Sequence, residues 1–200
     1  MAFRIEPGVR NTHRGAAAAL FWAAFEGKLG AVMRPERKAI AFLTRVMDGD
    51  HAISALDEAG ALLGVAGFKT ADGAFIGGGL GDMTAIYGPL GGLWRGVLLD
   101  ILERERDERH LLMDGIFVAP EARGRGVGGA LLDAVAKEAA RRGLSGVRLD
   151  VIDTNPRARA LYERKGFVAT SVADLGPLRH LFGFRRATTM IRPMDRPSPA

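Results

Sequence analysis

Val118-Ala119-Pro120-Glu121-Ala122-Arg123-Gly124-Arg125-Gly126-Val127-Gly128-Gly129 decides how the rest of this 200-residue chain is read. Upstream, Leu111 to Val118 reads as a strand that Pro120 stops. Downstream, Val127 to Arg142 repeats apolar residues at helical spacing, with Val127, Ala130, Leu131, Ala134, Val135 and Ala139 facing inward and Gly143 as the C-terminal cap. A strand, a short loop of small residues and a helix start therefore follow one another. That order aims unpaired backbone N–H groups and the positive end of a helix dipole at one point, and glycine lets an anion's oxygens approach the main chain. Arg123 and Arg125 can add charge-assisted bonds to phosphate oxygens. The plain alternative is a tight strand-to-helix turn whose arginines are solvated.

Gly124-x-Gly126-x-x-Gly129 also fits the dinucleotide fingerprint, and Asp150 stands about where a ribose-binding acid is needed. Two features weigh against it. Pro120 to Arg123 separate the strand from the turn, and too little chain follows Asp150 to complete a doubly wound sheet.

A second string lies one strand further on: Asn155-Pro156-Arg157-Ala158-Arg159-Ala160-Leu161-Tyr162-Glu163-Arg164-Lys165-Gly166-Phe167. Pro156 opens a short helix that stops at Gly166, and Asn155 and Tyr162, seven residues apart, fall two turns from each other on one side. Arg123-x-x-Gly126-x-Gly128 followed by this string resembles the GCN5-related N-acetyltransferase (GNAT) superfamily: the first looks like its pyrophosphate motif, the second like its Asn-x-x-Ala-x-x-x-Tyr-x-x-x-Gly-Phe signature. Strong resemblance covers Leu111 to Phe167.

The resemblance implies a mixed α/β fold whose central sheet is mainly antiparallel, carries helices on both faces and splays where two strands part to admit acetyl-CoA. It implies that the turn from Arg123 through Gly124, Arg125, Gly126, Val127, Gly128 and Gly129 holds the pyrophosphate. The main chain around Ile116 and Val118 would bond the pantetheine amides, with Asn155, Arg159 and Tyr162 completing the donor site. Tyr162 would ease departure of the thiolate, a role suited to a phenol that donates a hydrogen bond or proton. Packing on Phe167 is the purely structural reading of the same tyrosine.

The attacking amine must lose a proton, so a carboxylate is expected at the site. Asp150, twelve residues before Tyr162, stands where similar ribosomal-protein acetyltransferases carry a glutamate base. Asp114 is the other candidate, since period-two alternation gives it one strand face with Ile116 and Val118. Asp153 reads as a cap for the following helix.

Elsewhere the elements fit the same layout. Phe3 to Ile5 is a short strand, and Thr12 to Met33 is an alanine-rich helix whose Phe21, Trp22 and Phe25 read as core. Pro35 opens a second helix, and His51–Leu56 with Leu62–Lys69 form a hairpin around Asp57-Glu58-Ala59-Gly60. Val147–Ile152, a strand opened by Phe167, and Ala187–Arg192 complete the sheet. The glycine-rich stretch from Ala71 to Gly92 has no clear pattern, and Leu93 to Arg106 reads as an extra helix that extends the core, with a cover over the site or a homodimer face as alternatives. One domain over residues 1–192 is expected, with 193–200 a frayed tail.

Composition narrows the function classes. No apolar run has a membrane span's length, and the start lacks a signal peptide's apolar stretch, so a cytoplasmic protein is expected. The absence of cysteine removes thiolate nucleophiles and cysteine-bound zinc, and four scattered histidines offer no metal site, so the expected chemistry needs no metal. The net charge of +5 favours polyanions, but the arginines are spread out, which disfavours nucleic acid. Arginines and His180 in the loops Gly27–Arg37 and Asp174–Arg186 suit an acidic acceptor or a plain solvated face. The expected activity is acetyl transfer from acetyl-CoA to an amine by direct attack, a small amine being slightly favoured over a protein N-terminus. The alternative is a non-catalytic acyl-CoA sensor.

Overall fold

A computed structural model describes residues 2–93, 108–176 and 183–194, apart from the side chains of Lys28 and Ala31. The expected helix at 93–106 and the tail lie almost wholly outside these residues. Among the described residues no helix is long and apolar enough to cross a membrane.

The strands are β1 (Phe3–Pro7), β2 (Ala52–Asp57), β3 (Leu62–Lys69), β4 (His110–Val118), β5 (Gly146–Ile152), β6 (Val168–Asp174) and β7 (Arg186–Pro193). They form one seven-stranded sheet in the order β1-β2-β3-β4-β5-β7-β6. Every neighbouring pair is antiparallel except β4 and β5, which run parallel. The crossover between them is α4 (Val127–Arg141), as a parallel pair requires. Other helices among the described residues are α1 (Arg14–Met33), α2 (Glu36–Val46), α3 (Leu80–Tyr87) and α5 (Pro156–Arg164), and residues 89–93 are also helical.

Two cores sandwich the sheet. On one face Leu131, Leu132, Val135 and Ala139 of α4 pack against Leu111, Met113, Val147, Leu149 and Val151, joined by Tyr162 and Phe167. On the other, Phe21 and Trp22 of α1 and Phe42 and Leu43 of α2 pack against Val65, Phe75 and Phe117. Helices on both faces of a mainly antiparallel sheet match the expected class. The helix α3 falls in the glycine-rich stretch that periodicity left unassigned. It is short, and it is anchored by Met83 and by Tyr87, whose hydroxyl donates to the carbonyl of Met33.

Candidate active site

β4 and β5 share hydrogen bonds only through His110↔Gly146, Leu111↔Val147 and Leu112↔Arg148. Past those pairs the strands part, and a cleft of about 1340 Å³ opens between them and runs to the glycine turn, α5 and α1. The parting is reinforced by a bulge: Gly67 faces Gly115 but Phe68 faces Met113, which leaves Asp114 as the extra residue of β4.

The turn adopts the anticipated cradle. Pro120–Ala122 make a single tight turn, Arg123 is extended, and Gly124 and Gly126 take φ of +76° and +83°. Those left-handed values suit glycine, and Gly126 caps α4 in that conformation. The first turn of α4 holds no acidic residue, so the positive end of its dipole faces the cleft unneutralised. Arg123, Gly124 and Gly126–Gly129 line the cleft, and Arg123 Nε also donates to the carbonyl of Val118 at 3.2 Å.

Of the other two arginines expected here, neither Arg125 nor Arg159 lines the cleft, and Arg159 pairs with Glu163 at 2.9 Å. The cations that do line it, besides Arg123, are Arg157, Arg164 and Lys165, which the sequence reading passed over. Residues 157, 161, 164 and 165 recur at i, i+4, i+7 and i+8, so spacing alone marked them as one helical face. Lys165 crosses the first turn of α4: a Cβ on Gly129 would stand 2.8 Å from its Cε and 3.3 Å from its Nζ. Its ammonium donates to Asp133 Oδ2, and Arg192 Nη1 donates to the same carboxylate at 3.1 Å. Burial raises the pKa of Asp133, but the bonds from Lys165 and Arg192 outweigh it and hold the carboxyl below its ordinary range. Two cations thus share one carboxylate in the second turn of α4.

Asn155 lines the cleft, and its Oδ1 accepts from the N–H of Ala158 at 3.1 Å as the N-cap of α5. The expected cap, Asp153, does something else: its carboxylate accepts from the main-chain N–H groups of Arg185 and Arg186 and fixes the start of β7. A cap must immediately precede the first helical residue, and with Pro156 at that position Asn155 occupies the place. Tyr162 also lines the cleft yet is only 7% exposed, and this burial pushes its phenol pKa up to about 12. Its ring lies 5.8 Å from that of Phe167, so the packing role and the cleft position coexist.

The bulge overturns the alternation expected for Asp114. Met113, Ile116 and Val118 pack on the α4 side, while Phe117 packs on the α1 side and Gly115 lies beneath Phe25 of α1. Asp114 accepts a long bond from the N–H of Ile76 at 3.4 Å, on the side where Ile76 packs with the α1 core. It therefore faces away from Ile116 and Val118, because the added residue shifts the two-residue period by one. On β5, Leu149 and Val151 belong to the α4-side core and Ile152 packs on the α1 side, so Asp150 points to the α1 side too. Both aspartates line the cleft from the same face of the sheet. Phe21 and Trp22 are core as expected, whereas Phe25 is half-buried and forms cleft wall with Leu20, Ala23 and Ala24.

Residues 14–167 match the Acetyltransferase (GNAT) family, and the chain belongs to it. It is an acetyl-CoA-dependent acyltransferase by that membership. No curated protein sequence matches the chain. Among solved structures, a crystal structure of an acetyltransferase superposes with a TM-score of 0.61 at 22% identity, covering 96% of this chain and 100% of the other. The ribosomal-protein-S18-alanine N-acetyltransferase of Escherichia coli gives 0.57 at 18% identity, covering 100% and 99%. A protein from Bacillus anthracis str. Ames in complex with acetyl coenzyme A gives 0.50 at 17% identity, covering 72% and 62%. These likenesses establish the same fold.

Proposed function

We propose that the protein transfers the acetyl group of acetyl-CoA to a primary amine by direct attack, with a small amine favoured over a protein N-terminus. The observation that carries this reading is one continuous cleft joining a cationic glycine cradle to a buried phenol and two aspartates. The cradle fits a pyrophosphate: Gly124 and Gly126 present main chain with open space where a Cβ would lie, and Arg123, Arg157, Arg164 and Lys165 supply charge. The exposed edge of β4 around Ile116 and Val118 is left to bond the pantetheine arm.

The amine nitrogen attacks the thioester carbonyl, its surplus proton passes to Asp150 or Asp114, and the carbon–sulfur bond breaks to release the thiolate. With a pKa of about 12, Tyr162 stays protonated at any working pH. An alkyl thiol near the cysteine value of about 8.5 is the stronger acid, so the phenol stabilises the leaving sulfur by donating a hydrogen bond rather than surrendering its proton.

Thiol release from acetyl-CoA across a panel of amines tests the proposal. Turnover that falls by about 10- to 100-fold in Tyr162→Phe, with acetyl-CoA affinity retained, supports it. Tight acetyl-CoA binding with no turnover on any amine points to a sensor instead.

A further inference from the structure

The cleft passes through the sheet, and its two ends carry opposite charge. On the α4 and α5 side the charged residues lining it are Arg123, Arg157, Arg164 and Lys165. On the α1 side they are Asp114 and Asp150. The rest of that second wall is Leu20, Ala23, Ala24 and Phe25, with Gly27 and Gly183 at the rim. Among the described residues no cation lines the α1 side. Of the arginines that made an acidic acceptor conceivable, Arg34 pairs with Glu26 at 2.8 Å and Arg185 and Arg186 pair with Asp174 at 3.2 and 3.8 Å; none of these three lines the cleft, nor does Arg37, and Arg179 lies outside the described residues. His180 lies outside the described residues.

From this polarity we infer the class of acceptor: a cationic amine bearing an apolar group and no carboxylate beside the reacting nitrogen. The inference rests on the transferase reading above and concerns its acceptor half. Two carboxylates on this side draw an ammonium inward and one then accepts its proton, whereas a carboxylate next to the amine would be driven against them. The alkyl and aromatic wall of α1 offers burial to a hydrocarbon or ring and, among the described residues lining it, no cationic partner for an anion. The donor, a polyanion, enters from the basic end and is repelled by the acidic one. Charge therefore sorts the two substrates to opposite faces of the sheet.

A matched set of acceptors tests this: phenethylamine, phenylalanine amide and phenylalanine share one apolar body and differ beside the nitrogen. Thiol release is followed with the full-length protein, and acetyl-CoA binding is measured separately by calorimetry. The expected result is kcat/KM at least ten-fold higher for phenethylamine and the amide than for phenylalanine. Ala24→Lys, an exposed position of the α1 wall, is expected to lower kcat/KM for phenethylamine about ten-fold relative to Ala24→Met, an uncharged side chain of similar length, and to narrow the gap. Phenylalanine used as well as phenethylamine, or a gap indifferent to Ala24→Lys, overturns the acceptor class while leaving the transferase standing. Acetyl-CoA bound with none of the amines acetylated also overturns that class, and absence of acetyl-CoA binding removes the underlying reading.

Discussion

The ring of Phe25 covers Gly115 so closely that a Cβ there would stand 2.7 Å from its Cζ. Phe25 also packs tilted against Phe21 with centroids 4.6 Å apart, so the glycine of β4 and the wall of the cleft are coupled through one side chain. A comparable crowding occurs at Gly67, where a Cβ would meet the ring of Phe75 at 2.5 Å and that residue's own Cβ at 2.8 Å. The two sites differ in what can yield. Phe25 is half-buried and can swing into the cleft, whereas Phe75 is fully buried and stacked on Phe117.

Gly67→Ala is expected to be destabilising by overpacking, about 2–3 kcal/mol, or a fall in Tm of about 5–10 °C for a chain of this size. Gly115→Ala should cost less than about 1 kcal/mol but lower kcat/KM for the acceptor, because the displaced ring enters its side of the cleft. Thermal melts alongside steady-state kinetics separate the two, and a large stability loss at Gly115 would contradict the account.

Tyr162 makes stability fall at alkaline pH. Its folded pKa of about 12 lies above the ordinary value of 10.0, so the folded protein keeps a proton that the unfolded chain releases. The resulting contribution is intact below pH 10, declines as pH rises and is gone above about 12, amounting to some 2–3 kcal/mol. Denaturant titrations between pH 9 and 12 should show a shallower alkaline decline in Tyr162→Phe than in the parent.

Loss of the Asn155 cap should shorten the helix that carries the donor-side cations. Asn155→Ala is expected to cost about 1 kcal/mol, and Asn155→Asp, which keeps an accepting oxygen, much less. Calorimetric melting of both variants decides it. An alanine variant as stable as the parent would show that Ala158's N–H finds another acceptor.

Acetyl-CoA binding should weaken with salt, since four cations line its end of the cleft. Lys165→Ala is expected to raise KM for acetyl-CoA several-fold and to reduce that salt dependence, with kcat little changed. Asp133→Asn frees the lysine from its partner and should leave KM for acetyl-CoA equal or lower. Kinetics at two ionic strengths read both effects.

Asp150→Asn and Asp114→Asn distinguish the two candidate bases. Replacing the base removes the acidic limb of the kcat/KM profile against pH, and replacing the other aspartate lowers the plateau while keeping that limb. Profiles that keep the limb in both variants exclude both.

Local signals in the sequence carried most of the donor half. Glycines with required positive φ, a proline that ends a strand, and an Asn-to-Phe string over one short helix are short-range devices, and the turn at Gly124 and Gly126 follows from them directly. The element order was legible for the same reason, since β4, α4 and β5 have strong periods of their own. The helix α3 was not, because its stability comes from Met83 and Tyr87 meeting other elements.

What only the tertiary structure decided is which face each carboxylate uses and which cations reach the cleft. A bulge at Asp114 exists only in relation to β3, so alternation within β4 could not reveal that the aspartate joins Asp150 on the α1 side. Likewise Lys165 reaches the glycine turn because α5 ends over the first turn of α4, a meeting of segments about 35 residues apart in the chain. The sequence by itself determined the glycine turn between a strand and a helix start; folding decided that the opposite end of the cleft is lined by two aspartates, because charge at a site is summed over residues that only the sheet brings together.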